Sequence, residues 1–228
     1  MAPRPDLADL LTLLALEMNR PGDLDPTVVA VTDGLRRHLP ADHHVGISAL
    51  ERGGVLATRA GSSDLVRELD GWQCSTGQGP SLHALEKEPV VVVDVLQHDQ
   101  RWVEYAPQAA ALGVRAQLAV RLNVEDRPWG VITVCSTGAE RIDPEDERLV
   151  TLLAAHAGVA VERALREANL KAALQTRKLI GQAVGLVMER FGLDEEMAFR
   201  YLVRLSTNSN VKLRDIARQL LNGPRQQA

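Results

Sequence analysis

The chain has 228 residues, 45% of them hydrophobic, 25% charged and only 3% aromatic, with a formal net charge of −4. That balance is too apolar for a disordered tail and too charged for a membrane protein. No apolar run approaches the ~20 residues that span a bilayer. Two cysteines, Cys74 and Cys135, cannot build a disulfide framework, so a reducing, cytoplasmic setting is expected. Asp6, Asp9 and Glu17 around Leu10–Leu16 do not make the basic start of a secretory leader, and none is expected.

Leu7, Leu10, Leu11, Leu14 and Met18 recur at helical spacing, and a second helix is expected over Pro26–Leu39. His44–Leu50 and Val55–Arg59 read as a hairpin around Gly53-Gly54. A short helix is expected over Ser62–Leu69, then a Gly77-Gln78-Gly79-Pro80 loop opening another near Ser81–Lys87. Val90–Val93, apolar at consecutive positions, predicts a strand covered on both faces. Trp102–Leu112 is expected to be helical, with Pro107 near its start or kinking it. Val114–Leu122 and Trp129–Cys135 form a second hairpin around Glu125–Pro128.

Asp143 is an N-cap and Pro144 is preset for the first helical position, with three acids at the positive end of the dipole. Nothing stops that helix before Gly192. Val161, Leu165, Ala168 and Ala172, spaced 4-3-4, predict either a seam for a partner helix or a face packed back on its own domain. Two shorter helices follow: Glu195–Ser206, capped by Asp194, and Val211–Leu221, with Thr207–Asn210 as a loop and Asn210 as N-cap.

Charge is unevenly spread. From Leu170 onward stand ten Lys/Arg against five Asp/Glu, a net +5, leaving 16 basic and 25 acidic residues before it. A basic segment on an acidic body points to nucleic acid, or to a solvated helix face. A helical wheel over Glu195–Ser206 gathers Met197, Ala198, Tyr201, Leu202 and Leu205 on a core face and turns Phe199 and Val203 away, with Arg200 and Arg204 between. An exposed aromatic beside arginines suits base stacking with phosphate contact, or packing on a neighbouring helix. The six histidines show no metal-binding spacing, and no phosphate loop, dinucleotide fingerprint or nucleophile elbow is present. No enzyme activity, cofactor or metal is expected. Glycine-rich loops beside large aromatics instead suggest a ligand pocket near Trp72, Ser75, Ser81, Asp94 and Trp102.

Residues from about Asp25 to Arg163 resemble a GAF domain of actinobacterial regulators. The resemblance rests on Gly77–Leu85, Pro89–Asp94, Arg101-Trp102, Ala111–Arg115, Pro128–Ile132 and Asp143–Leu149. It implies an antiparallel sheet flanked by helices, with a small ligand held between them in many members. Gly79-Pro80-Ser81 stands where such members often have Gly-Pro-Cys.

Residues from about Leu170 to Leu221 resemble an ANTAR domain, the RNA-binding module of transcription antitermination regulators. The carrying residues include Ala173-Leu174, Arg177, Ile180–Ala183, Gly185–Met188, Gly192, Glu195–Phe199, Leu202, Leu205-Ser206, Asn210, Lys212-Leu213 and Ile216-Ala217. Val184 replaces a lysine common in the family, which implies RNA binding that is either weaker or leans on Arg177, Lys178 and the second helix. The wheel, the charge split and the ANTAR resemblance together give RNA contacts at Arg177, Lys178, Gln182, Phe199, Arg200, Arg204 and Lys212 as an expectation.

The expected fold is α+β: a sensor over 1–142, a dimerising linker helix over 143–169, a three-helix module over 170–223 and a tail over 224–228. The expected function is a homodimeric antitermination regulator that binds hairpins in nascent transcripts. The rivals are a DNA-binding regulator, since three short helices imitate a helix-turn-helix, and a thiol redox enzyme using Cys74 and Cys135.

Overall fold

The structure, a computed structural model, describes residues 23–223. The helix expected over Leu7–Met18 lies outside the described residues. The chain divides into two compact units after Leu165.

The first unit is built on a five-stranded antiparallel sheet. Helix α1 (Leu24–His38) precedes strands β1 (His43–Leu50) and β2 (Leu56–Gly61), and helices α2 (Asp64–Thr76) and α3 (Pro80–Glu86) follow. Strand β3 (Val90–Val93), helix α4 (Tyr105–Ala111) and strands β4 (Ala116–Val124) and β5 (Arg127–Ser136) complete the sheet, in the order β2-β1-β5-β4-β3. Helix α5 then runs from Pro144 to Phe191, 48 residues without a break. Asp143 Oδ1 accepts the Glu145 N–H at 2.8 Å and so satisfies one of the helix's orphan donors.

Alternation along the strands gives the sheet two different faces. Val45, Ile47, Leu118, Val120, Ile132 and Val134 face α1 and the start of α5, where Val28, Val31, Leu35, Leu153, Ala157 and Val161 meet them. Val91, Val93, Ala119, Val131 and Cys135 face the other way, toward Leu69, Leu85 and Tyr105 on α2, α3 and α4. Edge strand β3 therefore serves both cores, as its consecutive valines predict, although Val90 and Val92 are only partly covered. The β4–β5 hairpin closes through Glu125 and Asp126 at φ +50° and +59°, the pair of left-handed residues that a two-residue turn matching strand twist demands.

Gly158, in the middle of α5, costs helix propensity but has a packing reason. A Cβ there would collide with the Asn123 carbonyl oxygen at the end of β4. Val161 is fully buried in the core of the first unit and Leu165 packs against it, so the first half of the expected 4-3-4 seam lies on the chain's own sheet, whereas Ala168 is half-buried and Ala172 exposed. The repeat is the one any amphipathic helix shows, and here the sheet supplies the covering surface.

The second unit holds the rest of α5 with helices α6 (Glu195–Ser209) and α7 (Leu213–Asn222). Gly192, at φ +64°, ends α5 with its N–H bonded to the Met188 carbonyl, and Asp194 caps α6 by accepting the Met197 N–H at 2.7 Å. The loop expected at Thr207–Asn210 is mostly helix. Ser206, Thr207 and Ser209 direct their hydroxyls to local carbonyls instead of breaking the turn. Asn210, expected as an N-cap, is the left-handed residue that ends α6, and Lys212 is the N-cap of α7.

Candidate functional sites

The helical module closes around a thin core of Ala183, Val184, Val187, Ala198, Leu202, Ile216 and Ala217. Ala198 and Leu202 define the buried stripe of α6, with Leu205 partly covered beside them. Met197 and Tyr201, expected in that core, are 41% and 37% exposed, because α5 and α7 cover only a narrow strip of α6. Tyr201 rests its ring on Phe191 with centroids 5.4 Å apart. Val184 is buried in the core, so the position where the family often has lysine does not face solvent in this chain.

Phe199 and Val203 are exposed, as the wheel predicts. Phe199 forms one wall of an open groove of about 530 Å³. Ala172, Ala173 and Thr176 form the facing wall, Ile180 lines it, and Arg177 and Arg214 contribute its cations. The fold thus brings Phe199 together with Arg177 from α5, while Arg200, Arg204, Lys178, Gln182 and Lys212 stand exposed without lining the groove. Arg214 was not legible in the sequence; nothing local to α7 ties it to an aromatic on α6.

Pairing sorts the cations of this module. Arg200 meets Glu196 at 3.7 Å, and Arg214 and Arg218 meet Asp215 at 3.6 and 3.2 Å. Arg177, Lys178, Arg204 and Lys212 make no side-chain hydrogen bond or ion pair among the described residues, and are available to an external anion.

In the sensor, the space between the sheet and α2–α4 holds a buried polar cluster. Ser48 and Thr58 donate their hydroxyls to Asp70 Oδ2, the latter at 2.6 Å. Gln73 donates to Ser81 Oγ at 3.0 Å and accepts the Ser81 N–H at 2.7 Å, and Ser81 reaches Thr133 at 3.1 Å. Tyr105 donates to Gln117 Oε1 at 2.7 Å. Asp70 Oδ1 and Gln117 Nε2 are buried without a partner among the described residues. Burial pushes the Asp70 carboxyl above its ordinary range, against the pull of the Ser48 and Thr58 hydroxyls. Burial likewise raises the Cys135 thiol and the Tyr105 phenol.

Of the five residues expected around a sensor pocket, only Ser81 belongs to this cluster. Helix α2 continues to Thr76, well past its expected end, which places Trp72 and Ser75 on its exposed face. Asp94 is exposed near Arg141, at 4.0 Å. Trp102 is buried and borders a separate surface cleft of about 400 Å³, with Arg101 lying 4.3 Å over its ring. Asp70, Gln73, Thr133 and Gln117 were missed; inward-facing polar residues on strands and on α2 were the signal. Cys74 accepts the Leu56 N–H at the β2 end of the sheet, whereas Cys135 lies on β5, two strands away. That spacing, about 10 Å of sheet, exceeds what a disulfide bridges.

The description "GAF domain" attaches to the family model that matches residues 22–162, and "ANTAR domain" to the one that matches residues 168–221. No curated protein matches the chain. Among solved structures, the GAF domain of a phosphoenolpyruvate-protein phosphotransferase from Coxiella burnetii is similar at 15% identity and TM-score 0.58, over 72% of this chain and 97% of that one. The reduced form of fRMsr of Staphylococcus aureus is similar at 14% identity and TM-score 0.56, over 70% and 97%. A free methionine-R-sulfoxide reductase from Neisseria meningitidis, solved in complex with its substrate, gives 15% and 0.56, over 71% and 91%. At such identities the likeness concerns the fold alone. No helix among the described residues is long and apolar enough to cross a membrane. With its two-faced antiparallel sheet and the matched span covering more than half its length, the chain belongs to the GAF domain family and carries an ANTAR domain after it, the architecture of a regulator.

Proposed function

We propose that this regulator acts in transcription antitermination, its helical module binding hairpin RNA in nascent transcripts under the control of the sensor. The observation that carries the reading is the exposed Phe199 in one groove with Arg177, a cation with no ion-pair partner among the described residues. Unpaired RNA bases stack on aromatic faces while cations take the phosphates. A large exposed aromatic beside a cation with no ion-pair partner among the described residues suits that task better than it suits folding.

The sensor's contribution is to take a small polar molecule at the orphaned Asp70 Oδ1 and Gln117 Nε2, which offer an acceptor and a donor in a dry interior. Dimerisation is also part of the proposal. Its contact is drawn on Leu152 and Val159, seven residues apart and 38% and 65% exposed on α5, in place of Val161 and Leu165.

Gel shifts of the full chain with hairpin RNA and with duplex DNA, across a salt series, test the reading. Hairpin RNA is expected to bind more tightly, with Arg204→Ala flattening the slope of log affinity against log salt by about one unit. Preference for the duplex makes the protein a DNA-binding regulator instead.

A further inference from the structure

We infer that the groove walled by Phe199 is a nucleobase subsite. One unpaired base of the bound RNA stacks on the Phe199 ring, and Arg177 and Arg214 hold the phosphates on either side of that base. The inference rests on the RNA reading above and adds where a base is held and by which groups.

Five observations point to a base. The Phe199 ring is 43% exposed and enters no ring contact, whereas the module's other two aromatics, Phe191 and Tyr201, are spent on each other. The facing wall is made of Ala172, Ala173 and Thr176, so short side chains leave room for a flat group between the helices. Among the described residues no acidic side chain lines the groove, and both of its ionic residues are arginines. Arg177 has no competing partner among the described residues, and Arg214 only the half-buried Asp215 next to it in sequence, 3.6 Å away and shared with Arg218. Finally, the Thr176 hydroxyl makes no hydrogen bond among the described residues and lies in the same wall, offering both a donor and an acceptor to a base edge.

An aromatic wall, a neutral hydrogen-bonding group and two cations match the three parts of a nucleotide: π-face, edge and phosphate. An acidic peptide would use the arginines but would leave the exposed ring without a counterpart.

The test uses the full chain and a pool of RNA hairpins with fully randomised loops. Hairpins enriched on the protein are remade with 2-aminopurine at single loop positions, whose fluorescence falls when the base stacks. At one position the wild-type chain quenches the signal. Phe199→Ala and Phe199→Leu abolish that quenching and weaken binding roughly tenfold to a hundredfold, while Phe199→Tyr restores both. The leucine variant keeps an apolar wall, so it separates stacking from simple filling of the groove. Arg177→Ala and Arg214→Ala each flatten the salt slope by about one unit without removing the quenching. Arg204→Ala, off the groove, weakens hairpin binding and leaves the quenching untouched.

Failure to enrich any hairpin overturns the RNA reading and the subsite with it. Hairpins that bind Phe199→Ala and Phe199→Leu as tightly as wild type overturn the subsite alone; a groove that serves a protein partner gives that result. Leucine that behaves like tyrosine overturns the stacking.

Discussion

Between the sheet and α2–α4 of the sensor, Asp70, Gln73, Ser81 and Gln117 are polar side chains held almost wholly out of water. On α6 of the helical module, Met197, Phe199, Tyr201 and Val203 are large side chains about two-fifths exposed to it. The sensor tolerates its polar interior because two large clusters, one on each face of the sheet, stabilise the rest of the domain. Among the described residues the module has only seven buried ones at its centre, yet exposes four apolar ones on a single helix. Each arrangement costs stability that a sequence selected only for folding would have kept. In the proposed reading, the sensor spends it inside, where a small molecule would bind, and the module outside, where RNA would be met.

The largest expected effect tests whether the module's core is as thin as it looks. Leu202 is fully buried at its centre, and Leu202→Ala should cost ~2–5 kcal/mol, comparable to everything a core this small supplies. All three tryptophans, Trp72, Trp102 and Trp129, lie in the sensor, so their fluorescence follows the sensor alone while circular dichroism follows both units. We expect Leu202→Ala to remove the module's part of the dichroism transition and leave the tryptophan transition in place. Leu118→Ala, in the sheet core, should do the reverse. A common shift of both probes in either variant would show that the two units unfold as one.

Local signals carried the sequence reading as far as they could. The Glu125-Asp126 turn, the Asp143-Pro144 start of α5 and Gly192 at its end were legible because each depends on residues within one turn of chain. The extent of α2 was not, since Gly71 reads as a breaker although it sits on an exposed helical face with open space beside it. Asn210 was assigned to the wrong helix end because the hydroxyls before it are ambiguous: Ser and Thr bond back to a helix as readily as they cap one. Val161 and Leu165 show the other limit, for helical periodicity says that a face is covered and not by what. The partnership of Phe199 with Arg214 is tertiary and has no signature in either segment.

A smaller and pH-dependent effect sharpens the comparison on the sensor side. Burial raises the Asp70 carboxyl above its unfolded value of 3.8, so the folded sensor binds that proton more tightly than the unfolded chain. Its contribution is fully present below the unfolded value and is lost as pH rises through the raised one. Asp70→Asn keeps an oxygen to accept from Ser48 and Thr58 but carries no charge at any pH. The tryptophan-monitored stability of the variant should therefore fall less than wild type between pH 4 and pH 7, and exceed it at pH 7. Parallel pH profiles for the two proteins would mean that the Asp70 carboxyl titrates in the folded sensor as it does in the unfolded chain.

The smallest expected effect concerns the outer face of α5 in the module. Gly181 is exposed, and a Cβ added there meets nothing within 4 Å, unlike Gly158, whose Cβ would strike backbone. Helix propensity alone then makes Gly181→Ala stabilising by about 0.5–1 kcal/mol, through the entropy the unfolded glycine would otherwise give up. The dichroism transition of the module should rise by a few degrees while the tryptophan transition stays where it is. Hairpin affinity should not change if the RNA keeps to the Phe199 side of the module. A stabilised variant that binds hairpins more weakly would show instead that bare backbone at Gly181 lets RNA approach closely. The interface would then extend along α5 beyond the groove, and a second exposed helical glycine with open space around it, Gly185, would be the next position to substitute.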